Sequence, residues 1–291
     1  GKKVVTPEAK RRVVGFWRAG HSISERRACR LLNLCRASCR YRRRPDRNVQ
    51  LRSRLRVLAE QRRRFGYRRL QVLLEREGVA VNHKRVRRLY REEGLSLRQR
   101  RGRRRYRGVR VVPARPVRVN QRWSMDFMSD ALADGRRFRV LNVVDDFSRE
   151  HLAAEPGRSL TGRHVVAVLD RVARQRGYPE AIVSDNGPEF CSRVVDAWAH
   201  QHGVQLRFIR PGKPVENAYV ESLNGRCRDE CLNEHLFVSI DEARLELERW
   251  RLDYNGTRPH SSLGNLTPEE FAQQHRVSHP VSPELVRLSV A

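Results

Sequence analysis

Apolar residues recur at two different spacings along this chain, and the change falls near residue 120. Before it they sit three and four apart, the spacing of one helix face. Thr6-Pro7-Glu8 reads as a helix start, with Thr as cap, Pro in the first turn and an acid at the positive end. That helix carries Val13, Val14 and Trp17 on one stripe and stops at Gly20. Ser24 caps a second helix over Arg26–Leu32, Asn33-Leu34 turns, and a third helix runs over Arg36–Arg43. After the Pro45–Asn48 break, helices are predicted over Val49–Arg64, from Phe65 to Gly78, and from the Asn82 cap to Gly94. Leu70, Leu73, Leu74, Val86, Leu89 and Tyr90 would form the seam between the last two.

From Asn120 onward, strand-like runs alternate with helical ones. Strands are predicted over Arg122–Ser129, over Arg136–Phe147 after an Asp134-Gly135 turn, and over His151–Glu155. A helix over Thr161–Gly177, a short buried strand Ala181–Ser184, a helix Phe190–His202 and a strand Gln205–Ile209 follow. A helix then begins beyond the Pro211-Gly212-Lys213-Pro214 loop, and a last one covers Asp241–Tyr254. Three antiparallel-type strands followed by alternating helix and strand predict an α/β fold: a mixed sheet with helices on both faces, preceded by all-helical modules.

Charge sharpens this division. The net charge is +28, yet residues 1–118 hold 39 Lys and Arg against 8 Asp and Glu, while the remaining 173 residues hold 22 against 25. A strongly basic half joined to a near-neutral half reads as a polyanion-binding region attached to a second activity. Between Arg98 and Arg110, eight of thirteen residues are Arg, too few of them apolar to fold alone. The expected organisation is therefore a helix-turn-helix-like module at 1–48, a second at 49–94, a basic linker at 95–119, a catalytic core at 120–240 and a C-terminal helix and tail at 241–291. In the first module Arg36, Arg40 and Arg43 would face DNA; the alternative is a basic bundle that touches only phosphates. In the second, Lys84, Arg85 and Arg88 lie on the outer face. The six cysteines show neither a CxxC pair nor zinc-finger spacing and read as small buried residues in a reducing compartment. No run of 18 apolar residues and no signal peptide are present, so a cytoplasmic, nucleoid-associated location without a membrane partner is expected.

Three acids stand out. Asp126 sits mid-strand in Trp123-Ser-Met-Asp-Phe127, where Asp is depleted and burial of its charge is costly. Asp185 ends a buried strand before Asn186-Gly187-Pro188, at the carboxyl edge where open α/β sheets place their sites. Glu221 centres the polar stripe Asn217, Glu221, Asn224 and Arg228 of a helix whose other side is Tyr219, Val220, Leu223, Cys227 and Cys231. Singly, each acid could be a cap or a surface ion pair. Together they suit hard divalent cations, Mg²⁺ or Mn²⁺, and two such ions can assist in-line phosphoryl transfer. Asp145 and Asp146, also at a strand end, read as turn-forming or supporting, and Glu189 and Glu216 as helix-start residues.

Five blocks carry a resemblance: Trp123–Asp126, Val143–Arg149, Ser184–Phe190, Pro211–Leu232 and Tyr254–Phe271. Together they resemble a DDE transposase with a retroviral-integrase-like, RNase H-like core, and more narrowly the second-reading-frame (OrfB) product of the insertion-sequence-three family. The resemblance implies an RNase H-like mixed five-stranded sheet and two Mg²⁺ (or Mn²⁺) held by Asp126, Asp185 and Glu221. It implies cleavage at the element's 3′ end and attack of the freed 3′-hydroxyl on a second phosphodiester. Lys213, Asn217 and Arg228 would touch DNA near the chemistry, and Arg258 and His260 would be either further contacts or part of a structural loop. The partners implied are double-stranded DNA (terminal inverted repeats and target) and further copies of the chain on that DNA. A non-catalytic regulator bound at element ends, and a nuclease of RNase H type acting on another nucleic acid, are the competing readings.

Overall fold

A computed structural model describes residues 6–42, 45–97, 114–210 and 214–276. Arg43, Lys213 and the whole Arg-rich stretch Arg98–Arg110 lie outside the described residues. The chain divides into two compact units, Gly1–Ser53 and Arg54–Ala291.

The first unit contains α1 (Pro7–Gly20), α2 (Glu25–Leu31) and α3 (Arg36–Arg40). The hydroxyls of Thr6 and Ser24 accept from the amides of Ala9 and Arg27, as their sequence positions predicted. Val14, Ala28 and Cys29 are the buried centre, with Trp17, Ile23, Leu32, Leu34 and Cys39 packed around it. The third helix is one turn long, shorter than the run to Arg43 suggested.

α4 (Val49–Gln61) spans the unit boundary, and α5 (Tyr67–Arg76) and α6 (His83–Glu92) follow. Leu70, Leu74, Val86 and Leu89 are fully buried, and Leu73 and Tyr90 nearly so, which makes them the predicted seam. Gly78 and Gly94 adopt positive φ (80° and 70°) after the two helices, where a side chain would be strained.

The sheet comprises β1 (Arg122–Ala131), β2 (Arg137–Asp145), β3 (His151–Gly157), β4 (Ala181–Ser184) and β5 (Gln205–Phe208), in the order β3-β2-β1-β4-β5. The first three strands pair antiparallel, and β4 and β5 join in parallel. α7 (Gly162–Arg176) and α8 (Arg193–Gln201) cover one face, burying Trp123, Met125, Leu141, Val143 and Ile182 with Val165, Leu169, Val195 and Trp198. α9 (Ala218–Glu230) and α10 (Ile240–Gly256) cover the other, over Met128, Phe138, Val140 and Val144. The period-2 alternation of β2 assigns each residue to its face. This is the mixed five-stranded sheet expected.

α11 (Pro268–Arg276) was not anticipated. Its start repeats the signal that opens α1: the Thr267 hydroxyl accepts from the Glu270 amide, and the Glu270 carboxylate accepts from the Thr267 amide. Cysteine burial also departs from expectation. Cys29, Cys227 and Cys231 are buried, but Cys35 and Cys191 are exposed.

Candidate active site

Asp126 lies on β1 directly opposite Asn142 of β2, on the face that α9 covers. β4 runs parallel to β1 on the other side, with Ser124 beside Val183. Continuing that register by two residues brings Asp185, just past the end of β4, beside Asp126. Neighbouring strands lie about 4.8 Å apart, so two acids 59 positions apart become neighbours.

The Asp126 carboxylate is held at both oxygens. Oδ1 accepts from the Phe127 amide (2.8 Å) and Oδ2 from the Asn224 side-chain amide (2.8 Å). Burial, and then the fields of Asp185 and Glu221, push this carboxyl up to about 6. Burial also raises Glu221, which stands on the exposed side of α9. Asp185 Oδ1 accepts from the Gly187 amide at 3.1 Å. A Cβ at Gly187 would meet that same oxygen at 3.1 Å and Glu189 Oε2 at 3.4 Å, so a side chain there would press on the Asp185 carboxylate.

Among the described residues, no three His, Cys, Asp or Glu side chains close into a metal-binding cluster. The donor chemistry of the acids still suits a hard cation. Each Asp126 oxygen accepts one hydrogen bond and keeps a further lone pair. The field that Asp185 and Glu221 exert on Asp126 is of the sign a cation would relieve.

Two stretches, residues 116–214 and 202–268, match the integrase core domain family, and residues 46–104 match an HTH-like domain family. The chain is 52% identical over 258 residues to "Insertion element IS407 uncharacterized 31.7 kDa protein" of Burkholderia multivorans, covering 88% of this chain and 93% of that one. It is 47% identical over 275 residues to "Insertion element IS476 uncharacterized 39.2 kDa protein" of Xanthomonas euvesicatoria, covering 94% and 80%. "Transposase InsF for insertion sequence IS3fB" of Escherichia coli is 26% identical over 159 residues, 54% of this chain and 55% of that one. The chain belongs to the insertion-sequence-three family of DDE transposases. A simian T-cell lymphotropic virus intasome structure shares the fold, at a TM-score of 0.53 and 17% identity over 82% of this chain and 80% of that chain.

In this family member the predicted DNA-facing residues separate by burial. Arg36, Arg40, Lys84, Arg85, Arg88 and Arg228 are exposed. Arg40 pairs with Glu25 at 2.8 Å, and Arg228 donates to the Ser129 carbonyl of β1 at 3.0 Å. Asn217 must be corrected from a DNA contact to a tie between helix and strand. It is 2% exposed, and its Nδ2 donates to the Met125 carbonyl at 3.2 Å. Arg258 and His260 are buried as well, Arg258 against Glu230, so the block after α10 acts as a structural loop.

The supporting acids also resolve. Asp145 accepts from the amides of Asn120, Phe147 and Ser148 and closes the turn after β2, while Asp146 pairs with Arg122. Glu216 is a helix-start residue as expected, in the first turn of the short 3-10 helix that leads into α9, whereas Glu189 lies in the turn before α8. Glu189 pairs with Arg139, whose guanidinium lies 3.9 Å over the Phe127 ring, and Glu216 holds the amide and guanidinium of Arg210. Sequence reasoning put Asn224 on the polar stripe but missed that it grips Asp126. It missed Asn142 entirely. The signal was an amide inside Val140-Leu-Asn-Val-Val144, where a buried polar group requires a partner.

Proposed function

We propose that this transposase cuts the ends of an insertion sequence and joins the freed 3′ ends to target DNA, with Asp126, Asp185 and Glu221 holding two Mg²⁺ or Mn²⁺. The observation that carries this reading is the position of Asp126 on β1, one strand from the β4 end that leads into Asp185, with a carboxyl raised first by burial and then by the fields of Asp185 and of Glu221 on α9. Such a concentration of negative charge disfavours folding and suits cation-assisted chemistry on phosphates. When bound, the cations supply electrostatic stabilisation at the attacking and leaving oxygens.

The chain's own residues have separable tasks. Asn224 and the Phe127 amide fix the rotation of the Asp126 carboxylate, and the tight Gly187 turn aims Asp185. Arg228, exposed on the same face of α9, is placed to meet a DNA phosphate. Lys213 is assigned the same role from its place in the sequence just before α9. Arg36, Arg40, Arg43, Lys84, Arg85 and Arg88 grip the terminal repeats, the HTH-like domain at residues 46–104 supporting the part played by the last three. Copies of the chain assemble on the two element ends. Among the described residues no helix is long and apolar enough to cross a membrane, in keeping with action on nucleoid DNA in the cytoplasm. The competing reading, a regulator that binds without cutting, gives no reason for Asp126 to stand in the fields of both Asp185 and Glu221.

A joining assay with a pre-cut terminal-repeat duplex tests the proposal. Glu221→Gln should eliminate Mg²⁺-dependent joined product while DNA affinity stays within about twofold. Joining at the wild-type rate by this variant would contradict the assignment.

A further inference from the structure

We propose that Asn142 and His151 are positioning residues for strand transfer, locking the Asp126 carboxylate in one rotation through a one-way chain of hydrogen bonds. The inference rests on the assignment of Asp126 above and extends it to residues outside the acidic triad.

The chain has four members in contact order. His151 Nε2 meets Asn142 Oδ1 at 3.0 Å, Asn142 Nδ2 donates to Asn224 Oδ1 at 2.8 Å, and Asn224 Nδ2 donates to Asp126 Oδ2 at 2.8 Å. Its direction is fixed at one end. A carboxylate only accepts, so Asn224 must present its amide nitrogen to Asp126 and its oxygen to Asn142. Asn142 must then present nitrogen to Asn224 and oxygen to His151, and His151 must carry a hydrogen on Nε2. Turning any one amide over would set oxygen against oxygen. Asn142 and His151 are fully buried, and burial pushes the imidazole down to about 3, so His151 is a neutral donor.

The far end is anchored as firmly. Asn255 of α10 clips the His151 backbone twice, accepting from its amide (2.8 Å) and donating to its carbonyl (2.9 Å). Arg251 donates to the same carbonyl at 3.1 Å. The imidazole meets the edges of Trp250 and Tyr254, with centroids 5.6 and 6.1 Å away. The block that begins at Tyr254, which the chemistry leaves unexplained, thus connects through Asn255 to the central acid. Burying the Asn142 amide and the His151 imidazole beside Val140, Val144 and Val220 is costly without partners; the line from His151 Nε2 to the carboxylate closes only when Asp126 accepts, and Nδ1 on the far side of the ring has no hydrogen-bond partner among the described residues. Partners of metal-holding carboxylates typically contribute about 10- to 100-fold to metal affinity or activity.

Four variants of the full chain test this: Asn142→Leu, His151→Phe, His151→Gln and, as reference, Asp126→Asn. Each is measured for thermal melting, terminal-repeat DNA affinity, Mn²⁺ binding by electron paramagnetic resonance, and joining rate at saturating DNA. Asn142→Leu and His151→Phe should lose about 10- to 100-fold in Mn²⁺ affinity and joining rate at unchanged DNA affinity. His151→Gln, which keeps a donor near the position of Nε2, should recover most of both. Wild-type Mn²⁺ affinity and rate in folded Asn142→Leu would overturn the proposal, as would His151→Gln being as impaired as His151→Phe. Should Asn142→Leu fail to fold, the His151 pair decides, since Phe keeps the ring packing. Joining by Asp126→Asn at the wild-type rate would remove the underlying triad assignment, an outcome distinct from failure of the chain alone.

Discussion

Replacing Asp126 by Asn should stabilise the metal-free protein while destroying its activity. The folded-state carboxyl is raised from 3.8 to about 6. A carboxyl raised on folding favours the native state when protonated, and that contribution is lost as pH rises from the unfolded value through the folded one. A shift of about two units corresponds to roughly 3 kcal/mol against the ionised form at pH 8 and about half that at pH 5. The site is partly open to solvent, which trims this to about 2–3 kcal/mol. Asn also forfeits the bond from the Phe127 amide, since its second polar atom is a donor, at a cost of about 1 kcal/mol. The net gain of about 1–2 kcal/mol should raise the melting temperature at pH 8 by roughly 3–6 °C. Thermal melts with a chelator present, from pH 5 to pH 8, should show this gain shrinking as pH falls. Adding Mg²⁺ should reverse the order by stabilising the wild type alone. A melting temperature for Asp126→Asn at or below wild type at pH 8, or a difference independent of pH, would refute the reasoning.

Two further outcomes follow from the helical region. Binding of the full chain to terminal-repeat DNA should fall by about 10³- to 10⁵-fold between 50 and 200 mM salt, if some six to ten phosphates are neutralised, as fluorescence anisotropy would show; a flat response would place the basic half away from DNA. Leu89→Ala, at a fully buried position in the α5–α6 seam, should cost about 2–5 kcal/mol in urea unfolding, and a loss below about 1 kcal/mol would mean that the seam is not a packed core.

Local features of the fold were legible because local chemistry sets them. Thr6, Ser24 and Asn82 cap the helices their positions announced. The apolar run Phe138–Val144 reads as a strand, and the structure divides its residues between the two faces. Asp126 stood out as a candidate for a different reason: an Asp has no folding rationale in a hydrophobic strand. Burial within the polar stripe was not legible. Asn217 and Arg228 both flank Glu221 on the helical wheel, yet one is enclosed against Met125 and the other is open to solvent. Their periodicity is the same, and only the position of β1 tells them apart. The amide chain from His151 to Asp126 was equally hidden, since Asn142 and Asn224 meet across 82 positions. The Thr267 cap was visible in principle, since Thr267-Pro268-Glu269 repeats the Thr6-Pro7-Glu8 start.

The central claim is that Asp126, Asp185 and Glu221 together hold metal against a DNA phosphate. A crystal of the full chain with terminal-repeat DNA and Mn²⁺, using Glu221→Gln as the unreactive comparison, reads it directly by anomalous scattering. The account predicts strong anomalous peaks bounded by the three carboxylates in the wild type and weakened peaks in the variant. Peaks elsewhere on the protein at saturating Mn²⁺, with these three side chains apart, would contradict it.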